Sequence, residues 1–140
     1  MQNYIKLALR LAIGLSFLSA VADRLGMWDP SISNWGTWEA FLSYTALINP
    51  WAPESMIPTL GFIASVLEVV FGVFLIIGFK TSLFAKLSGW LLIIFALSMC
   101  FSTGIKGAFD FSVFTAAAAA FALSQMKNKY LEVDSLISNK

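Results

Sequence analysis

The stretch from Ile57 to Lys80 reads IPTLGFIASVLEVVFGVFLIIGFK. Between Ile57 and Phe79 it carries one charge, Glu68. At a helical rise of about 1.5 Å per residue it is long enough to cross a hydrocarbon core of roughly 30 Å. Pro58 suits the first turn of a helix, where its missing N–H would be unpaired anyway, and Gly78 before Lys80 suits the end. Near mid-span a carboxylate costs several kcal/mol unless it is protonated or paired, so Glu68 needs a reason to be there. Its neighbours one and two turns away are Gly61, Ala64, Ser65 and Gly72, with bulky Val69, Val70, Phe71, Val73 and Phe74 elsewhere. A stripe of small residues faces another helix or a cavity rather than lipid. Glu68 is then either a polar staple between helices or a ligand or proton site, and both readings stand.

Working outward, three more segments have the length and character of spans: about 5–22, 83–101 and 109–126. The last holds five alanines, Ala116 to Ala120, which read as a close helix contact. The first has the features of a signal peptide, with Lys6 and Arg10 ahead of an apolar run and Ala20-Val21-Ala22 as a small-residue site; the expectation is an uncleaved first helix. Arg10, Gly14, Phe17, Val21 and Arg24 share one face of that helix. The register favours Arg10 as partner of Glu68, with Lys86 on the third span as rival; snorkelling to the headgroups is the bland role for both.

Whole-chain composition agrees with a membrane solvent. The 140 residues are 59% hydrophobic and 12% charged, with mean hydropathy +0.79, whereas a soluble domain is about 25% charged. So short a chain cannot hide that much apolar surface from water. The net charge of +1 without a basic stripe excludes nucleic acid as a partner. There is no histidine and one cysteine, Cys100, so no metal, haem or dithiol centre is expected, and Cys100 reads as packing. Phosphate loops, nucleophile elbows and histidine bases are absent, so no catalytic residue is assigned and any electron carrier is borrowed.

The cations set an orientation. Lys6, Arg10, Lys80, Lys86, Lys127, Lys129 and Lys140 fall on the side of the N-terminus, against Arg24 and Lys106 on the other, which predicts both termini in the cytoplasm. The expected fold is all-α: a single transmembrane domain, residues 1–126, folded as a four-helix bundle, followed by a polar cytoplasmic tail, 127–140. The first outer loop, about 23–56, holds Trp28, Trp35, Trp38 and Trp51. Ser33 or Asn34 is expected to cap a helix running to about Ile48, lying in the interface as an anchor or as a lid. At the outer end Asp23 and Arg24 close the first span. Asp110, with Lys106 just before it, is expected at the N-terminus of the fourth, where it would favour the helix dipole. These charges, Trp35 and Trp38 above them, and Glu68 and Arg10 below make the candidate ligand-binding set.

These residues resemble the DoxX family of small bacterial membrane proteins over about Leu7 to Leu123. The resemblance rests on Arg10 to Gly14 leading to Ala22-Asp23-Arg24-Leu25, and on Glu68, Gly72 and then Gly78-Phe79-Lys80-Thr81. The stretch from Asn34 to Pro53, with Trp35, Gly36, Phe41, Tyr44, Thr45, Asn49 and Pro50, is similar to the outer loop of one branch. Asp23 stands where the family usually has a small residue. The resemblance implies a four-helix bundle in the bacterial inner membrane and an association with quinone-linked sulfur oxidation, thiol handling and oxidative stress. It therefore implies a subunit that binds a quinone or other lipophile and serves a redox partner, with no cofactor of its own. Other relatives are assembly factors, so a non-enzymatic scaffold gripping a client protein is the alternative. A small transporter is a third reading, but no internal repeat supports it. The glycine and alanine faces permit a homo-oligomer.

Overall fold

The computed structural model describes residues 1–137. Residues 138–140, the end of the expected tail, and with them Lys140 of the cation set, lie outside the described residues. In chain order the helices are α1 (Gln2–Arg24), α2 (Trp38–Ile48), α3 (Ile57–Ile77), α4 (Thr81–Ser102), α5 (Ile105–Asp110), α6 (Val113–Gln125) and α7 (Val133–Ile137), with a 3-10 turn at Glu54–Met56 leading into α3. No strand occurs among the described residues. Three helices, α1, α3 and α4, are long and apolar enough to cross a membrane. At the helical rise they measure about 32 to 35 Å.

Their outward faces carry large apolar side chains. On α3 these are Phe62, Ile63, Val66, Val69, Val73 and Ile77; on α4 they include Leu83, Leu87, Trp90, Ile94 and Phe101. The small and polar positions of α3, Gly61, Ser65, Glu68 and Gly72, are buried instead. This inverts the pattern of a water-soluble helix, whose polar face turns outward, and fits helices whose solvent is hydrocarbon.

Helix α1 packs antiparallel on α3 where two glycines meet. A Cβ added at Gly14 would lie 2.8 Å from the carbonyl oxygen of Gly72, and one at Gly72 would lie 3.0 Å from that of Gly14. Only hydrogen at both positions permits backbones this close, so the crossing fixes the register of the pair. Helix α4 packs on α6 by the same device: Gly89 leaves room for the Phe121 ring, and Ala85, Ala117 and Ala120 are buried. Ile13, Phe17, Phe71, Leu75, Leu91 and Leu123 fill the core between the pairs.

The expected fourth span, 109–126, is not one helix. Helix α5 ends at Asp110, Ser112 adopts left-handed backbone (φ 54), and α6 restarts at Val113. Its 13 residues cover about 20 Å, too little for a hydrocarbon core by themselves. The break follows from the docking of α5, whose Ala108 is completely buried against Ala96 and Met99 of α4. Asp110 therefore ends a short helix rather than opening a long one.

The helix expected in the long connection after α1 also starts later than expected. Its cap is Thr37, whose hydroxyl accepts from the Ala40 N–H at 3.2 Å, and not Ser33 or Asn34. Those two residues are committed to Asp23. Its carboxylate accepts from the Ser33 hydroxyl and from the N–H groups of Asn34 (2.9 Å), Trp35 (3.3 Å) and Gly36 (3.3 Å).

At the opposite end of the molecule the segment after α6 folds back beside the start of α1. The Asn128 side chain donates to that of Asn3 at 2.7 Å, and the Tyr4 and Tyr130 rings pack edge to face.

Candidate functional site

The register set by Gly14 and Gly72 decides which arginine meets Glu68. Arg24 lies ten residues above Gly14, and Glu68 four above Gly72 along the antiparallel helix, an axial offset of about 9 Å. Arg10 lies four residues below the crossing, so its offset from Glu68 is about 12 Å. Arg24 is the partner, and the expected Arg10 to Glu68 bridge does not form. The guanidinium reaches inward from the end of α1, with Nη2 2.9 Å from Oε2 and 3.3 Å from Oε1 of Glu68. Its Nη1 donates to the Ser65 hydroxyl at 2.8 Å, which in turn donates to the Gly61 carbonyl at 2.8 Å. The rival cation, Lys86, is exposed.

Both charges are almost fully buried, and α2 buries them. Gly61 lets that helix approach: a Cβ there would lie 2.7 Å from the Leu42 side chain and 3.1 Å from the Phe41 ring. Phe41 then lies over the guanidinium at 3.8 Å from ring centroid to Cζ, with Trp35 at 5.3 Å. Stacked rings attract the cation and exclude water from it. Arg24 Nε has no hydrogen-bond partner, and Glu68 Oε2 has only its ion-pair contact with Nη2. The buried Nε is thus a donor with unused capacity, which is costly unless something else compensates.

A cavity of about 960 Å³ opens beside this pair. Its wall is mainly apolar and comes from five helices: Leu9, Ile13 and Phe17 of α1, Leu67 of α3, Leu91 and Phe95 of α4, and Ala116 and Ala119 of α6, roofed by α2. Polar groups are the minority of the lining. Besides Ser16, Asn34, Ser112 and Thr115, Arg24 and Glu68 form one set, and Tyr44, Thr45, Asn49 and Ser98 form another under the roof. Asn49 donates to the Thr45 carbonyl at 3.0 Å and accepts from the Ser98 hydroxyl at 3.3 Å, tying the end of α2 to α4. Burial pushes the Tyr44 phenol up from its ordinary value. A large apolar space with a few convergent polar groups is the form of a small-molecule site.

Of the sequence candidates, Glu68, Arg24 and Trp35 line this cavity. Asp23 stands next to Arg24 in the chain, but its carboxylate is spent on the loop that positions Trp35. Trp38 packs on Phe41 from outside the wall, ring centroids 5.3 Å apart. Asp110 is exposed and pairs with Lys106 on α5. Arg10 is at the other end of α1, donating to the carbonyls of Leu75 (2.9 Å), Ile76 (2.8 Å) and Tyr130 (2.9 Å). The sequence reading passed over Phe41, Tyr44, Asn49, Trp51 and Ser98 as site residues. Asn49 carried a signal, a polar side chain ending an apolar helix, but it read equally well as a stop.

No family model, curated protein or solved structure matches the chain. Sequence and structure together define its class: among the described residues it is all-helical, with three helices suited to a membrane, lining an apolar cavity with a buried ion pair in its wall. Among the described residues no cluster of His, Cys, Asp or Glu could hold a metal ion.

Proposed function

We propose that the chain is a DoxX-like subunit of a bacterial inner membrane, binding a quinone or another flat lipophile within the bundle and serving a redox partner that supplies the electrons. In this reading α1, α3 and α4 span the bilayer and the α5–α6 segment completes the bundle as a broken fourth element. Helix α2 lies at the outer interface, and both termini face the cytoplasm. The observation that carries it is the cavity of about 960 Å³ with the Arg24–Glu68 pair in its wall. Its size suits a ring with a short isoprenoid chain, and its wall would shelter both from water. The pair is neutral as a whole, which suits a neutral headgroup better than an anion. When Phe41 swings off the guanidinium, Arg24 Nε offers a donor to a quinone carbonyl and Glu68 an acceptor to a hydroquinone hydroxyl. The quinone supplies the redox chemistry; these side chains bind and orient it.

The test is equilibrium binding of a short-chain quinone to the purified full chain in detergent, by calorimetry. Glu68→Gln and Phe95→Trp, which fills the cavity, should each weaken binding by about tenfold. Native affinity in both folded variants, or no binding by the native chain, defeats the reading.

A second reading, a scaffold or assembly factor for a client protein, is favoured by one observation. The network of Arg24, Ser65 and Glu68 ties α1 to α3 through protein side chains alone. It requires that Glu68→Gln reduce partner retention and stability while small-molecule binding is unchanged.

A further inference from the structure

At the end of the molecule opposite the cavity, two buried cations face the chain's own C-terminal segment. Lys6 is 3% exposed and Arg10 0%. Glu132 Oε1 lies 2.8 Å from Lys6 Nζ and 3.6 Å from Arg10 Nη1. Two residues on, Asp134 binds the start of α4: its oxygens accept from the N–H groups of Lys80 (2.7 Å) and Thr81 (3.0 Å), while its own N–H donates to the Gly78 carbonyl at 3.1 Å. Helix α4 has no local side-chain cap. Its first N–H groups, which carry the positive end of the helix dipole, are satisfied by a residue more than 50 positions away.

We propose that this cluster of Lys6, Arg10 and the start of α4 is a binding site for a phosphate group, and that Glu132 and Asp134 are competing occupants supplied by the chain itself. Two observations beyond the helix terminus support it. The Thr81 hydroxyl, on a residue 2% exposed, has no hydrogen-bond partner. A phosphate, with more acceptor oxygens than a carboxylate, could satisfy that hydroxyl together with the Lys80 and Thr81 N–H groups. Finally, this end carries Lys6, Arg10, Lys80, Lys86, Lys127 and Lys129 against only Glu132 and Asp134 among the described residues, a field that concentrates anions. The turn from Gly78 to Thr81 follows a helix of about 32 Å, which puts the cluster at headgroup depth in a bilayer. Entry of the phosphate releases the segment around Asp134 and leaves the start of α4 capped.

The experiment is NMR-detected amide exchange of the full chain in maltoside micelles, which carry no phosphate, with short-chain phosphatidylglycerol added in one arm and inorganic phosphate in another. The expected result is that the Asp134 amide exchanges about tenfold faster while those of Lys80 and Thr81 stay protected. The arm in which this occurs identifies a lipid headgroup or a free phosphate as the source. Unchanged exchange at Asp134 in both arms overturns the proposal, as does joint loss of protection at all three amides, which would mean the start of α4 simply melts. The Glu132→Gln, Asp134→Asn double variant removes the competitors and should bind the effective anion about tenfold more tightly; equal or weaker binding also overturns the proposal.

Discussion

Replacing one member of the Arg24–Glu68 pair tests how much of the fold it holds. In Glu68→Gln the amide oxygen still stands about 3 Å from Nη2, and Ser65 still accepts from Nη1 at 2.8 Å, so shape and one hydrogen bond survive. What goes is the negative charge opposite a guanidinium that is 3% exposed and covered by Phe41. Leaving one buried charge without its counterpart costs about 3 to 5 kcal/mol, and the surviving hydrogen bonds place this variant near the lower figure, about 3 kcal/mol. Arg24→Met should cost about the same, since it strands the carboxylate and the Ser65 oxygen together. The double variant Arg24→Met, Glu68→Leu leaves no stranded charge and fills the volume with apolar atoms. It should recover most of the loss, with a coupling of about 2 to 3 kcal/mol. The assay is equilibrium unfolding of the full chain by SDS in mixed micelles. Single variants within about 0.5 kcal/mol of native, or losses that merely add in the double variant, would refute the view that the two charges support each other in a desolvated site.

Other consequences are local. Gly14→Val drives a side chain into the Gly72 carbonyl and should cost about 1 to 3 kcal/mol in the same assay, more than Gly107→Val, whose Cβ would meet only ordinary contacts. Ser112→Gly relieves the left-handed backbone between α5 and α6 and should stabilise by about 0.5 to 1 kcal/mol without moving either helix. Asp23→Ala removes the acceptor shared by Ser33 and the N–H groups of Asn34, Trp35 and Gly36. It should speed amide exchange across those residues by about tenfold while leaving α1 protected.

What could be read from the sequence followed from periodicity and hydropathy. The small-residue stripe of α3 predicted an inward Glu68, and the carboxylate is 4% exposed. Its partner could not be read, because a single pair of glycines sets the register, and a shift of one turn would have reversed the choice between Arg10 and Arg24. Ser112 was opaque for another reason: apolar residues flank Asp110 and Ser112 on both sides, so the segment reads as one span, and the break comes from the docking of Ala108 on α4, a tertiary contact. The cap of α2 was lost to a competitor, since Ser33 and Asn34 have capping chemistry but a buried carboxylate ten residues earlier takes their donors first. The polar segment after Met126 looked like a tail because nothing in its composition shows that Glu132 and Asp134 have partners 50 and more residues away.

The end of α1 joins these local facts into one arrangement. Asp23 and Arg24 are adjacent, so their side chains leave the helix about 100° apart and serve different neighbours. Asp23 gathers the loop that carries Trp35, while Arg24 crosses to Ser65 and Glu68 on α3. Trp35 in turn packs on both Phe41 and Tyr44, at centroid distances of 5.6 and 5.8 Å, and so fixes the roof against the arginine it covers. Roof and buried pair are thus anchored to the same two residues of one helix. A ligand that displaces Phe41 from Arg24 must strain the Trp35 contacts, and through them the loop held by Asp23. Asp23→Ala, at a residue outside the cavity wall, should therefore loosen the roof and change the rate at which a lipophile enters more than its affinity, which stopped-flow binding of a short-chain quinone would separate; equal rates in native and variant protein would mean that the roof moves independently of the loop.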